Sequence, residues 1–334
     1  MNDNELAIGK LRGVQQLTDA HGVFTMLALD HRGSLRKALN PAAPAQVPYE
    51  ALVDLKLLLT RALAPLASAV LLDPIYGAAQ AVGQCALPGD VGLVVSLEAS
   101  GYEGAETARR TALIPGWDVG KCKRMGASAA KLLLYYHPEA ATAREQEQLV
   151  ARVGRACQAH DLPFLLEPMS YAVDPALPKS SPAFARQRPR IVEETARRLV
   201  PLGVDVLKAE FPADLQYDSP AQALDHCRRL TDAVSVPWVL LSAAVDYDLF
   251  RQQVEIACRG GASGFLAGRA IWQEITRLHR EEWGEFADTV ATERLRTLAA
   301  IADAEARPCR PTVAIQEGWH ERYATVPALE ALAD

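Results

Sequence analysis

Short apolar runs alternate along the chain with amphipathic stretches, and the two periods predict strands and helices in turn. Runs of four to seven residues rich in Val, Leu, Ala and aromatic side chains fall at 25–29, 69–72, 92–97, 130–135, 163–166, 205–211, 237–241 and 263–266. Between them, 50–66, 143–160, 189–202, 221–233 and 249–259 carry apolar residues at three- and four-residue spacing, the mark of helices with one buried face. Gly203 and the pair Gly260-Gly261 stand where a helix C-terminal cap is expected. Segment 178–190, with Pro178, Pro182 and Pro189, reads as one long loop.

Strands that are apolar almost throughout and alternate with helices imply a parallel sheet covered on its outer face. Eight such units in about 270 residues fit a closed (β/α)8 TIM barrel, whose typical length is about 250. A doubly wound sheet usually places a Gly-rich turn after its first strand. Here Asp30-His31-Arg32-Gly33-Ser34 follow instead, without GxGxxG spacing. No shift of composition marks a second domain, so 1–334 reads as one barrel domain with its core at about 20–280. The remainder, 281–334, is expected to form a helix over 285–306 and a tail carrying Trp319 and Tyr323. That tail has two places to pack, its own barrel or a neighbouring copy in a homo-oligomer.

Hydrophobic residues make up 49% of the chain and charged residues 23%, enough for a full core. With a net charge of −6 and no Lys/Arg stripe, nucleic acid is not an expected partner. No apolar stretch reaches membrane-spanning length, and Met1-Asn2-Asp3-Asn4-Glu5 lacks a signal-peptide pattern, so a cytoplasmic protein is expected. The six cysteines are scattered without CxxC, and no His/Cys cluster has zinc spacing. Neither a disulfide framework nor a metal site is expected.

One residue breaks the apolar pattern in an informative way. Lys208 lies inside Val204-Asp205-Val206-Leu207-Lys208-Ala209-Glu210-Phe211, where desolvating an ammonium costs several kcal/mol unless it is paired or deprotonated. The plain reading is a lysine paired with a carboxylate such as Glu210, or one whose head reaches water. The chemical reading is an amine made nucleophilic for imine formation with a carbonyl.

In a barrel of this kind the active site lies at the C-terminal ends of the strands. Those ends carry Asp30, Asp73, Glu98, Glu167, Glu210, Ser242 and Gly268-Arg269, and the fourth strand contains Lys131. Two lysines in one small cavity repel, which favours a neutral amine beside a charged one. Asp30 and Glu167 have the chemistry to hold the charged lysine and to move protons on substrate hydroxyls. The alternative is an ion-pair network that only supports the barrel mouth. Ser242, Gly268 and Arg269 form an anion site of the kind common after strands seven and eight.

These residues stand in strings that resemble the class I tagatose 1,6-bisphosphate aldolase family, which includes sulfofructose-phosphate aldolases. The strings are Met26–Gly33 (MLALDHRG), Leu71–Gly77 (LLDPIYG), Glu98–Tyr102 (EASGY), Leu113–Trp117 (LIPGW), Lys131–Tyr136 (KLLLYY), Leu166-Glu167-Pro168, Asp205–Glu210 (DVLKAE) and Ala267–Ala270 (AGRA). The resemblance implies a Schiff base at Lys208, with Lys131 as the second lysine and Glu167 as the proton-transfer group. Asp30 would partner the lysines and substrate hydroxyls. Ser242, Ala243, Ala244, Gly268 and Arg269 would hold the phosphate of the dihydroxyacetone-phosphate half. No cofactor or metal is implied, only a small sugar phosphate as partner.

Two departures from the family strings lie near the substrate: His31 stands where glutamine is expected, and Ser242-Ala243-Ala244 lacks a glycine at its third place. His31, Arg32 and Arg36 are candidates for the second anion-binding end. The leading expectation is therefore cleavage of tagatose 1,6-bisphosphate to dihydroxyacetone phosphate and glyceraldehyde 3-phosphate. The alternatives are a sulfofructose-phosphate aldolase, whose second product is sulfolactaldehyde, and a non-catalytic barrel with a regulatory or binding role.

Overall fold

A computed structural model describes residues 7–323. Eight parallel strands close in sequence order into a barrel, β1-β2-β3-β4-β5-β6-β7-β8. They are β1 Phe24–Ala28, β2 Ala69–Leu72, β3 Gly92–Ser96, β4 Ala129–Tyr135, β5 Phe164–Met169, β6 Val206–Ala209, β7 Trp238–Leu241 and β8 Gly264–Ala267. Each matches an expected apolar run to within a few residues at its ends. The seam is the β1–β8 pairing, from Phe24 opposite Gly264 to Leu27 opposite Ala267. Gly264 has φ +132°, and a Cβ there would stand 2.0 Å from the Phe24 carbonyl oxygen, so closure at this point requires glycine.

Alternation along each strand sorts the residues. Ala130, Leu132, Leu134, Leu207 and Leu240 face outward into the helix layer and belong to the larger apolar cluster. Phe24, Met26, Leu71, Val94, Leu165 and Val239 face inward and form a separate apolar plug in the barrel. A helix at Ile8–Leu17, not expected from the sequence, closes the N-terminal end by adding Val14 and Leu17 to that plug. It is tied down by Lys10, whose ammonium lies 2.7 Å from Asp205.

The expected loop at 178–190 is a loop only in its first part. A helix runs over Pro182–Leu199 and contains Pro189. Ser181 caps it by accepting the Phe184 N–H at 3.1 Å, and Pro182 occupies the first turn, where no amide donor is needed. Phe184, Ala185, Ile191, Val192, Ala196 and Leu199 are its buried face. Burial of that stripe outweighs the backbone donor lost at Pro189.

At the C-terminal end, Trp283–Phe286, a π-helical turn at Ala287–Ala291 and Thr292–Glu305 follow one another where a helix over 285–306 is expected. The chain then crosses the N-terminal face of its own barrel. Cys309 N–H donates to the Gly22 carbonyl at 2.7 Å, Arg310 donates to the His21 carbonyl, and the Tyr323 hydroxyl meets Asp161. This leaves the C-terminal mouth open to the βα loops. Among the described residues, no helix is long and apolar enough to cross a membrane, and all six cysteines are unpaired.

Candidate active site

The inward period that builds the apolar plug continues upward into polar residues. Two positions beyond Ala28 is Asp30, and beyond Leu71 is Asp73. Val94 is followed inward by Ser96 and Glu98, Ala129 by Lys131, Leu165 by Glu167, Val206 by Lys208, and Leu266 by Gly268. Seven strands thus deliver a charged or anion-accepting group to the C-terminal end of the barrel.

Lys131 is fully buried, and its Nζ lies 2.6 Å from Glu98 Oε1, 2.8 Å from Asp30 Oδ2 and 3.0 Å from Glu167 Oε2. An ammonium has three protons, and here each has a carboxylate oxygen. Burial opposes that charge, but Asp30, Glu167 and Glu98 outweigh it and hold the lysine pKa well above its ordinary range. Lys208, also buried, lies 2.9 Å from Glu167 Oε1. No second carboxylate reaches it among the described residues. Glu210 does not pair with Lys208; it pairs with Lys179 and accepts the Ser170 N–H at 2.9 Å.

Burial would push the Glu167 carboxyl up, yet Lys131 and Lys208 bring it below the usual glutamate range. Asp30 behaves likewise: burial opposes its charge, and Lys131, His31 and Lys208 hold its pKa far below normal. The two lysines therefore differ in kind. One has its proton-donating capacity saturated by three carboxylates, and the other meets a single carboxylate among the described residues.

On the opposite side, Ser242 Oγ accepts the Gly268 N–H at 3.4 Å. Ala243 and Ala244 both have positive φ, 43° and 59°, so the chain after β7 turns through two left-handed residues in succession. Successive amides in such a turn point to a common side, a shape that suits an anion. At Gly268 a Cβ would stand 2.8 Å from the Ala28 carbonyl and 2.9 Å from His31 Cε1. Arg269 follows, and its buried Nε has no hydrogen-bond partner among the described residues. Burial lowers the guanidinium pKa, opposed by the charges of Glu167 and Asp30.

The family model for the DeoC/LacD family aldolases matches residues 24–274, the whole of the barrel. Tagatose 1,6-diphosphate aldolase 2 of Streptococcus agalactiae serotype III (strain NEM316) is 31% identical, with 86% of this chain and 91% of that protein covered. Tagatose 1,6-diphosphate aldolase of Staphylococcus aureus (strain MSSA476) is 32% identical over the same shares. Among solved structures, the fructose-bisphosphate aldolase from Plasmodium falciparum shares the fold, with a TM-score of 0.68 at 14% identity over 91% of this chain and 97% of that one.

The chain belongs to the DeoC/LacD aldolase family.

In this aldolase the other expected site residues are placed less simply. His31 packs edge-on against Trp272, with ring centroids 5.3 Å apart, and its Nδ1 is 3.8 Å from Asp30 Oδ1. Burial, only partly offset by Asp30, drops its pKa to about 3, so the ring is neutral at pH 7 and brings no charge to an anion. Arg32 is buried with its guanidinium donating to the Glu98 carbonyl at 2.6 Å, while Arg36 donates to the Tyr76 hydroxyl at 3.0 Å.

Two charged residues near the lysine cluster were not singled out by the sequence. Glu98 supplies the shortest contact to Lys131 and also accepts the Leu133 N–H at 3.0 Å. It was visible as a strand-end acid, and only the barrel's closure brings it to Lys131. Lys56, on the helix Tyr49–Leu63, is buried against Asp73, and burial lowers its pKa despite that pairing. A separate trio with metal-like spacing, Asp19, His21 and Asp303, sits at the opposite end of the barrel, with His21 and Asp303 exposed.

Proposed function

We propose that this aldolase is a class I enzyme that cleaves a phosphorylated ketose, with tagatose 1,6-bisphosphate the leading substrate, through an imine at Lys208. The reading rests on the difference between the two lysines: Lys131 has three carboxylate partners, whereas Lys208 has Glu167 alone among the described residues. The Lys208 amine adds to the C2 carbonyl, and water leaves to give a protonated imine. That iminium carries the charge of the ammonium it replaces, so the Glu167 carboxylate that suits one suits the other.

Glu167 then takes the proton of the C4 hydroxyl, the C3–C4 bond breaks, and its electron pair moves into the C2–C3 bond as the iminium becomes an enamine. The aldehyde departs. Glu167 returns its proton to C3, and hydrolysis of the imine releases dihydroxyacetone phosphate. Lys131 remains charged throughout, offsetting Asp30 and Glu98 and keeping Glu167 ionised for the first proton transfer. Ser242, the amides of Ala243 and Ala244, Gly268 and Arg269 hold the phosphate next to C1. The electron sink is the imine, so no resident cofactor enters the scheme, and the enzyme is read as cytoplasmic, acting on a diffusible sugar phosphate.

Borohydride reduction with dihydroxyacetone phosphate tests the reading. The protein should gain the mass of one reduced adduct, mapping to Lys208, and Lys208→Ala should gain none. An adduct elsewhere, or activity abolished by a chelator with no adduct at all, overturns it.

A further inference from the structure

The anion site at β7–β8 serves one end of a ketose bisphosphate, and the candidates Arg32 and Arg36 for the other end are engaged with Glu98 and Tyr76. A different cation stands at the mouth. Arg109 lies on the long loop between β3 and β4, with its guanidinium carbon 4.4 Å from the Tyr102 ring centroid, 5.0 Å from Tyr171 and 5.5 Å from Tyr135. Its Nε donates to the Glu106 carbonyl at 3.0 Å. No carboxylate pairs with it among the described residues. The neighbouring cations differ: Arg110 pairs with Glu145, Lys179 with Glu210 and Arg188 with Asp214.

The cage is held, not loose. The backbone of Glu103 and Arg110 forms a two-way bridge at 2.8 and 2.9 Å, and Thr142 Oγ donates to the Arg109 carbonyl at 3.1 Å. Tyr135 N–H donates to Thr111 Oγ at 2.9 Å, fixing the loop to the end of β4. Tyr171 is buried, and its hydroxyl lies 3.3 Å from Thr142 Oγ.

Tyr135 joins this cage to the reacting centre. It continues the inward period Lys131, Leu133, Tyr135 on β4, about 13 Å along the strand from Lys131 at roughly 3.3 Å per residue. Burial raises its phenol pKa, and the same phenol feels the charges of Arg109, Lys131, Glu167 and Glu98. It also acts on Arg269. Tyr135 is thus on the strand that carries Lys131 and has its ring 5.5 Å from the Arg109 guanidinium carbon. A guanidinium held by aromatic faces keeps its in-plane N–H donors free for a planar or tetrahedral oxyanion.

We propose that Arg109, held by Tyr102, Tyr135 and Tyr171, recognises the anionic group at the end of the substrate remote from the imine and so determines specificity. This rests on the aldolase reading above. The ligand chemistry is a terminal oxyanion, phosphate or sulfonate, on the aldehyde-product half of the ketose.

The test compares Arg109→Met with the unaltered enzyme on tagatose 1,6-bisphosphate, tagatose 1-phosphate and 6-deoxy-6-sulfofructose 1-phosphate. Methionine keeps the apolar stem among the rings and removes the charge. For the substrate whose distal anion Arg109 reads, KM should rise on the order of 10–100-fold, the loss expected for a charge-assisted hydrogen-bonded contact. Cleavage of tagatose 1-phosphate and borohydride trapping with dihydroxyacetone phosphate should be unchanged. Selective loss with the bisphosphate identifies phosphate, and selective loss with the sulfonated ketose identifies sulfonate; either supports the proposal. Equal losses on all three substrates, or none, overturn it. Failure of the unaltered enzyme to trap an imine would overturn the aldolase reading instead, a distinguishable result.

Discussion

Glu167 Oε1 lies 2.9 Å from Lys208 Nζ, and the other oxygen of the same carboxylate lies 3.0 Å from Lys131. One carboxylate thus links the proposed nucleophile to a lysine whose charge is fixed. Replacing Glu167 with glutamine keeps the shape and removes the proton acceptor. Because general acid–base transfer contributes roughly 10²–10⁴-fold, kcat for Glu167→Gln is expected to fall by that factor. Imine trapping at Lys208 with dihydroxyacetone phosphate should persist, at a lower rate. A variant that retains kcat would remove Glu167 from the proton-transfer step.

The Lys131 cluster also bears on stability. Lys131→Met would leave Asp30, Glu98 and Glu167 facing one another without the ammonium that now touches all three. Breaking a buried ion pair from one side costs about 3–5 kcal/mol, because the remaining charge is desolvated and unpaired. Urea unfolding at pH 7 should show a loss of that order, partly recovered when Glu98→Gln is added. A loss well under about 1 kcal/mol would mean that water reaches the cluster and screens it.

Much of this arrangement was legible in the chain because strand alternation is local. An apolar run with a lysine at Lys208 fixes its face as soon as Val206 is assigned to the interior, and β2 begins and ends where its apolar run does. Glu98 was legible as a strand-end acid but not as a partner of Lys131. That contact depends on the β3–β4 register, Ser96 opposite Lys131, which only the closed barrel sets. Lys56 on a helix resembles any solvated lysine until Asp73, from another element, is brought against it. The helix Pro182–Leu199 was expected from 189 onward, and only its first two turns were hidden by the prolines, whose local signal is opposite to the packing that decides it. Arg109 stands on a loop without periodicity, and three tyrosines from separate segments make its surroundings.

His31 gives the fold an acid sensitivity whose sign is set by its burial. Its folded pKa is about 3 against about 6.5 when unfolded. Between those values the unfolded chain binds a proton that the folded chain refuses, so stability falls as pH falls. Asp30 and Glu167 are depressed carboxylates: their contribution is complete only well above their unfolded values of 3.8 and 4.5, and it is lost as pH falls through and below those values. In the window from pH 6.5 to 4.5, His137 and His226, whose pKa burial also lowers, respond alike in both proteins, so the difference from His31→Gln isolates His31. At about 1.4 kcal/mol per pH unit, the protein should lose up to ~2–3 kcal/mol more across it than His31→Gln does. Parallel urea titrations at the two pH values decide this, and equal losses would mean that His31 is protonated in the folded state.

The two left-handed alanines after β7 make the last prediction. A residue with a Cβ in this region costs roughly 1–3 kcal/mol, and the barrel sustains two in succession at Ala243 and Ala244. The turn keeps its amides where an anion would sit, so relieving its strain should not harm binding. Ala244→Gly removes the strain but adds about 0.5–1 kcal/mol of unfolded-state entropy, giving a net change between zero and roughly 2.5 kcal/mol of stabilisation. An ordinary Ala→Gly change would instead destabilise. Ala244→Val should cost about 1–3 kcal/mol, because a β-branched side chain fits a positive φ worse than alanine. If the amides hold the phosphate, the glycine variant should keep the KM for dihydroxyacetone phosphate in the condensation direction, and the valine variant should raise it. A glycine variant less stable than the unaltered protein in urea would show that the two alanines do not hold these angles in solution.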